Sequence, residues 1–275
     1  MKYEEDYKSL LFLAIEICES VKGRTAPAEL GWLADTQPFS GKLVQHLVTV
    51  IYLSKGTTVT GVGSHNLAFT DHSSVNVLIR ACFETYLAFH HIFIASPTVE
   101  GKKFRHSVWE LGGFLTRQRG PIITEEGKIK VAGELAIIEQ LRKSMEETSE
   151  YKTNPKEMQK LAKAGKWKLG KQWGDLAVAA KFHRKYFDGV YCYLCDYAHS
   201  GGLSLLQINA TDTAELQREH VENMLGICLI VMSHFIFAYA SLYEEAAHTL
   251  KKYPELENLA SVYHLKVDEM REYYG

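Results

Sequence analysis

Two places in this chain gather residues able to do chemistry. The first is the end of a Tyr-rich stretch, Trp173 to Gly202 (WGDLAVAAKFHRKYFDGVYCYLCDYAHSGG), which carries Asp196 and His199 just before Gly201-Gly202. An imidazole in the last turn of a helix, within reach of a carboxylate and beside flexible backbone, has the makings of a general acid or base. The negative end of the helix dipole favours its protonated form, and a ring bonded to the last carbonyls as a cap would satisfy the same spacing. The second place follows Asp71, where Ser73, Asn76, Arg80, Glu84 and His91 fall within about 40° of one direction on a helical wheel. Around that stripe lie Val75, Leu78, Ile79, Cys82, Phe83, Tyr86, Phe89 and Phe93, so the helix is apolar over most of its circumference and reads as buried. A buried Arg80 and Glu84 must be paired, because an isolated charge there is strongly unfavourable. A structural ion pair that fixes register meets that demand as well as a site does. In the catalytic version His199 moves a proton, Asp196 orients it, and Arg80, held by Glu84, stabilises developing negative charge. Tyr191, Asn76 and His91 are the residues expected to bind a ligand beside them.

The elements that would carry these groups are helical. Tyr3 to Val21 sets Tyr7, Leu10, Leu11, Ile15, Cys18 and Val21 at helical spacing and ends near Gly23. Thr25 to Ser40, with Pro27, Gly31 and Pro38, reads as a connector, after which Ser40 caps a helix that runs to Lys55 and stops at Gly56. Gly56 to Asn66 (GTTVTGVGSHN) reads as a mobile loop, and it lacks the Gly-Lys-Ser/Thr ending of a phosphate loop. Asp71 caps a helix to about Ser96. Another runs from about Thr98 to Gln118, broken at Gly120-Pro121 and followed by a polar loop to Lys128. Ile129 to Tyr151 is amphipathic, laid on the core by Leu135, Ile138 and Leu141. Pro155 opens a short helix to Ala164. After the Tyr-rich stretch, Leu203 to Ala210 reads as irregular, Thr213 to about Lys252 as one long helix, and Pro254 as the start of the last. Hairpin signals, alternation and repeats are missing, so strands are expected to be few or absent. The expected fold is all-α, one helical bundle over residues 1–275. It would hold about seven to nine helices around three apolar ones, near 75–95, 175–199 and 216–250.

Length and composition narrow the function. At 275 residues and 46% hydrophobic, the chain can bury a large core, and its net charge of -2 supplies no global field toward nucleic acid or anionic lipid. The five cysteines, Cys18, Cys82, Cys192, Cys195 and Cys228, are scattered through apolar helical segments, and no secretory leader is read in Met1 to Ser20. Reduced buried thiols and a cytoplasmic location are therefore expected. Cys192-x-x-Cys195 lies deep in a helical pattern, unlike a redox pair opening a helix after a strand, and no second pair accompanies it for zinc. Leu225 to Tyr243 reaches membrane-span length without a charged residue. Acids flank it and no Lys/Arg bias would orient it, so a core helix and no membrane partner are expected. The apolar surplus is compatible with a homodimer. Lys160, Lys163, Lys166, Lys168 and Lys171, with Trp167 and Trp173 interleaved, form a local basic patch with stacking platforms, the one feature favouring nucleic acid. Lysines so spaced also make an ordinary solvated face. Asp196-x-x-His199 and Glu245-x-x-His248 fall short of a di-iron ligand set, so no metal or cofactor is expected. Nucleophile-elbow, dinucleotide and metalloprotease motifs are missing from the sequence.

Two motifs carry a resemblance. R-A-C-F-E-T-Y-L (Arg80 to Leu87) and Y-C-Y-L-C-D-Y-A-H-S-G (Tyr191 to Gly201), with Trp173 opening the second segment, resemble a family of uncharacterised bacterial all-helical proteins. In those an Arg-x-x-x-Glu helix is followed well downstream by a Tyr-rich helix ending in His-Ser or His-Pro. The resemblance runs from about residue 70 to 205 and implies a helical fold with Arg80, Glu84, Tyr191 and His199 as functional positions, but no activity. Cys195 stands where that family has Ser. A looser likeness is to HEPN domains, helical bundles whose ribonuclease members use an Arg followed four to six residues later by a His. No Arg here has a His at that spacing, so the likeness implies a ribonuclease only if Arg80 supplies the guanidinium across helices. Two functions follow as expectations. One is a ligand-binding or interaction module with a polar site between core helices. The alternative is a HEPN-like, metal-independent ribonuclease of a toxin or defence system, using His199 and Arg80.

Overall fold

In the computed structural model, which describes residues 3–24, 28–63 and 65–274, the chain is predominantly helical. It begins with α1 (Glu4–Glu19), a 3₁₀ stretch Ala28–Asp35, α2 (Thr36–Leu53) and a hairpin of β1 (Thr57–Val62) and β2 (His65–Phe69). Next come α3 (His72–Phe89), extended by a π-helical turn His90–Ile94, then α4 (Val99–Arg119), α5 (Glu125–Glu147), α6 (Ser149–Thr153) and α7 (Lys156–Lys163). The Tyr-rich stretch forms α8 (Trp173–Ala179) and α9 (Arg184–Ala198). The rest is α10 (Gly202–Ala210), α11 (Ala214–Ala240), α12 (Glu244–Lys252), α13 (Pro254–Tyr263) and α14 (Val267–Tyr274).

The cap expected at Asp71 is present, and Thr98, expected near the start of the next helix, caps it. Asp71 accepts from the Ser74 amide at 2.9 Å and Thr98 from that of Gly101 at 3.0 Å, satisfying donors that the first helical turn leaves orphaned. The helix expected from Ile129 starts a turn earlier because Thr124 caps it, accepting from Gly127 at 3.1 Å. Apolar faces then decide the packing. Tyr7, Leu10, Leu13 and Ile17 of α1, Leu47 and Val50 of α2, Ile79, Phe83 and Leu87 of α3, and Leu225, Leu229 and Ile236 of α11 are fully buried in one cluster. Each such side chain contributes about 1.5–3 kcal/mol of transfer free energy. A smaller cluster, Phe104, Val108, Met145, Tyr151, Ala162 and Leu169, sits among α4 to α7 and the loop after them.

Several expectations are corrected. The fourteen α-helices among the described residues exceed seven to nine. Gly56 to Asn66 is not a loop but most of a hairpin, with Thr57 opposite Phe69 and Val59 opposite Leu67; the β-branched run Thr57 to Thr60 favours the strand more than its glycines oppose it. Ser40 is no cap: α2 begins at Thr36, Pro38 sits in its first turn, where no amide partner is needed, and the Ser40 hydroxyl donates to Gln37 O at 2.9 Å. Pro27 lies outside the described residues. Leu135 is exposed, and Ile138 with Met145 and Glu134 forms the buried stripe of α5. Leu203 to Ala210 is helical. The long helix expected to reach Lys252 stops at Ala240, because Tyr243 is extended with its hydroxyl tied to Thr36 at 2.7 Å and Leu33 O at 3.1 Å. The middle apolar helix is two pieces, α8 and α9, which bury Leu176, Phe187 and Leu194 in the core, and α1 joins the three expected segments there. Helices α3, with its π turn, and α11 are long and apolar enough to cross a membrane by length and composition, and 67% and 56% of their most apolar windows are buried inside the protein.

Candidate functional site

Helices α3 and α9 pack side by side, and that contact brings the two sequence motifs together. Glu84 Oε1 accepts from Arg80 Nε at 2.9 Å, one helical turn away on α3, and from the Tyr191 hydroxyl of α9 at 2.5 Å. Arg80 Nη1 donates to His199 Nε2 at 2.9 Å. The guanidinium carbon also lies 5.5 Å from the centroid of the Tyr191 ring, which stacks on buried Phe187 at 5.1 Å. Arg80 and Glu84 are 19% and 29% exposed, so the pair is shielded but reachable from solvent. Burial opposes the charge on Arg80, but Tyr191 and Glu84 outweigh it and hold the guanidinium above its ordinary range. Burial, then the bond to Glu84, pushes the Tyr191 phenol up, so it stays a donor. Burial raises the Cys195 thiol against the pull of Arg80.

This geometry defines what the cluster can do. A guanidinium has donors only, so His199 Nε2 must accept and the ring proton resides on Nδ1. An anionic group arriving at Arg80 would compete with His199 for Nη1, releasing the imidazole beside it. His199 itself is exposed at the end of α9.

Asp196 stands apart from this arrangement. Helix α9 ends with Ser200 in the left-handed region at φ 55°, and the Gly201 amide returns to Asp196 O at 2.8 Å, a Schellman closure. Gly201 is not the left-handed residue. Its lack of a side chain makes room instead for the Asp196 carboxyl, whose carbon would lie 2.5 Å from a Cβ there. The carboxylate accepts from the Leu203 amide at 3.0 Å and so caps α10 rather than orienting His199.

Asn76 and His91 also go elsewhere. Asn76, fully buried, donates to His72 O and meets His220 Nε2, both at 2.9 Å; Tyr193 reaches the same ring at 3.2 Å. Burial, then His72, lowers the His220 pKa to about 4. The π turn after Phe89 rotates His91 off the stripe expected from a regular helix, and its Nε2 faces Trp167 O at 3.2 Å in the buried interior. Cys192 is exposed, against expectation, Cys195 is half-buried, and both are free thiols.

Glu84 faces a feature that the sequence did not reveal. It walls a cavity of about 470 Å³ together with Phe39 of α2, Trp109 of α4 and Trp167 and Trp173 from the segment before α9. Trp167 and Trp173 meet edge to face at 5.9 Å. A second cavity of about 880 Å³ shares Trp109 and Trp167 and is edged by Lys166, Lys168 and Lys171. The lysine cluster thus divides: Lys160 and Lys163 on α7 pair with Glu157 at 3.7 Å and Glu146 at 2.8 Å, whereas the other three belong to the loop 164–172 and the larger cavity. That loop is pinned where Gly165, at φ 64°, backs on Gly112 of α4; a Cβ on Gly165 would lie 2.6 Å from Gly112 Cα. Two tryptophans within one short stretch, Trp167 and Trp173, were the available signal, but Trp109 and Phe39 join them only through space. Comparison with protein-family models, curated proteins and solved structures finds no match.

Proposed function

We propose that this protein is a helical ligand-binding module whose site is the tryptophan-lined cavity walled on one side by Glu84 of the Arg80–Glu84–Tyr191–His199 cluster. The observation that carries this reading is that Glu84 belongs both to the ion-pair network and to the cavity wall. Aromatic walls with few convergent polar groups are the usual make-up of small-molecule sites, and the cavity is of the right size for one. A planar ligand would lie against the indoles and direct a polar group to Glu84. The test is a calorimetric and thermal-shift screen of planar aromatic compounds bearing neutral, cationic or anionic groups. A ligand at ten times its Kd should stabilise the protein by about 1.4 kcal/mol. The effect should fall in Glu84→Gln and Trp173→Phe. No shift from any compound, or shifts indifferent to both substitutions, would overturn the reading.

A second reading, the metal-independent ribonuclease, is favoured by one contact: Arg80 Nη1 and His199 Nε2 meet at 2.9 Å across helices, as that chemistry requires. His199 would shuttle the proton of the attacking 2′-hydroxyl and Arg80 would steady the charged phosphorus centre. Labelled single-stranded RNA incubated with chelator should be cut by the native chain and spared by His199→Ala and Arg80→Lys. Equal cutting by native protein and variants would end this reading.

A further inference from the structure

The two cavities meet at Trp109 and Trp167, and their linings differ in kind. The smaller is aromatic, with Phe39, Trp109, Trp167 and Trp173 offering ring faces. The larger is edged by Lys166, Lys168 and Lys171, which have no carboxylate at ion-pair distance among the described residues. Its remaining charged groups are Arg117, paired with Glu134, and two carboxylates on the side of Trp109, Asp35 and Glu110, which lie 2.7 and 3.9 Å from His106. Lys168 links the two spaces. It lines the larger, while its ammonium stands 4.7 Å from the ring centroid of Trp173 in the smaller.

Lys171 adds a second reason to expect an anion. It is half-buried beside Arg105, whose Nη1 donates only to the His91 carbonyl, at 3.1 Å, among the bonds that the structure gives it. Burial and then Arg105 lower the Lys171 ammonium pKa against the pull of Asp175 and Glu150, and burial lowers that of Arg105 against Glu150. A phosphate reaching Lys171 from the larger cavity would add to that compensation. Ring faces on one side and unpaired ammonium groups on the other fit one ligand chemistry: a planar heterocycle joined to a phosphate.

We infer that the joined cavities bind a nucleoside phosphate, its base against Trp109, Trp167 and Trp173 and its phosphate on Lys166, Lys168 and Lys171. This rests on the aromatic cavity being a ligand site. The nucleoside phosphate could be free or a unit of a single strand, and the experiment separates the two. Isothermal titration of the full chain would use AMP, UMP, adenosine, inorganic phosphate and a ten-residue single-stranded RNA. A free nucleotide site predicts that AMP or UMP binds at least tenfold more tightly than adenosine and that phosphate alone gives no heat. Lys168→Ala and Lys171→Ala should each weaken the nucleotide by about tenfold and leave adenosine unchanged, with circular dichroism confirming that both variants fold. Binding of the strand alone, weakened by the same two substitutions, supports the site and assigns it to nucleic acid. If neutral aromatic compounds bind while nucleotides and the strand do not, or if the lysine substitutions have no effect, this inference is wrong and the ligand-site reading stands. Silence toward every ligand, neutral aromatics included, removes both.

Discussion

Tyr191→Phe removes one hydroxyl and nothing else, and so isolates the bond that joins α9 to the ion pair on α3. An O–H donating to a carboxylate at 2.5 Å is charge-assisted, and hydrogen bonds to charged groups contribute about 1.5–3 kcal/mol when shielded. Glu84 is 29% exposed, so water replaces part of the lost bond and the expected cost is about 1–2 kcal/mol. A chain of 275 residues unfolds with an entropy of about 0.6 kcal/mol/K, so that cost lowers Tm by roughly 2–4 °C. Glu84→Gln keeps an acceptor for Arg80 but removes the charge that makes the Tyr191 bond strong. The double variant should therefore lose less than the two single losses added together, by about 0.5–1.5 kcal/mol. The assay is urea unfolding of the four proteins with unchanged m-values, read as a double-mutant cycle. If Tyr191→Phe costs under about 0.3 kcal/mol, or if the two losses simply add, the two motifs touch without holding each other and the cluster is not an energetic unit.

Three further outcomes are expected. Burial lowers His90 to about 4 and His91 and His234 to about 3, from an ordinary 6.5. The unfolded chain therefore takes up protons that the native state refuses, so stability should be level above pH 7 and fall from about 6.5 toward 4, by up to about 1.4 kcal/mol per pH unit for each ring; a flat urea midpoint across that range would contradict it. Gly201→Ala should displace the Asp196 carboxyl and cost about 1 kcal/mol, the worth of a helix cap, and combining it with Asp196→Ala should add little; full additivity in the unfolding data would show that the two do not share one role. Gly165→Ala puts a Cβ 2.6 Å from backbone at φ 64° and should cost about 2–4 kcal/mol, with a change in tryptophan fluorescence as the loop bearing Trp167 shifts; an unaltered spectrum would mean that the loop is not held there.

Much of the secondary structure was legible in the sequence because it depends on neighbours in the chain. Apolar spacing placed α1, α3, α4 and α11, and Asp71 and Thr98 marked their starts through local side-chain bonds. Helix ends were less legible, for a reason visible in three of them. Helices α7, α8 and α9 all close by the same motif, with left-handed Gly165, Lys181 and Ser200 at the turning point. Only the first is glycine, so a reading that waits for glycine finds the end of α7, runs through the break between α8 and α9, and assigns the turn after α9 to the wrong residue. At Lys181 and Ser200 the turn is closed by the next residue's amide, Phe182 to Ala177 O at 3.0 Å and Gly201 to Asp196 O at 2.8 Å, bonds that no residue type at the turning point announces.

The sequence by itself determined which residues could form a polar cluster: Arg80 and Glu84 one turn apart, with Tyr191 and His199 on another Tyr-rich helix. Only the tertiary structure decided that these four meet, that Asp196 caps α10 instead, and that Asn76 and His91 turn to other partners. It also decided that Phe39, Trp109, Trp167 and Trp173 enclose one space. The physical reason is the same in each case. Spacing along a helix fixes which side chains share a face, whereas what that face meets depends on how distant segments bury their apolar surface together, and a cavity exists only as the gap that this packing leaves unfilled.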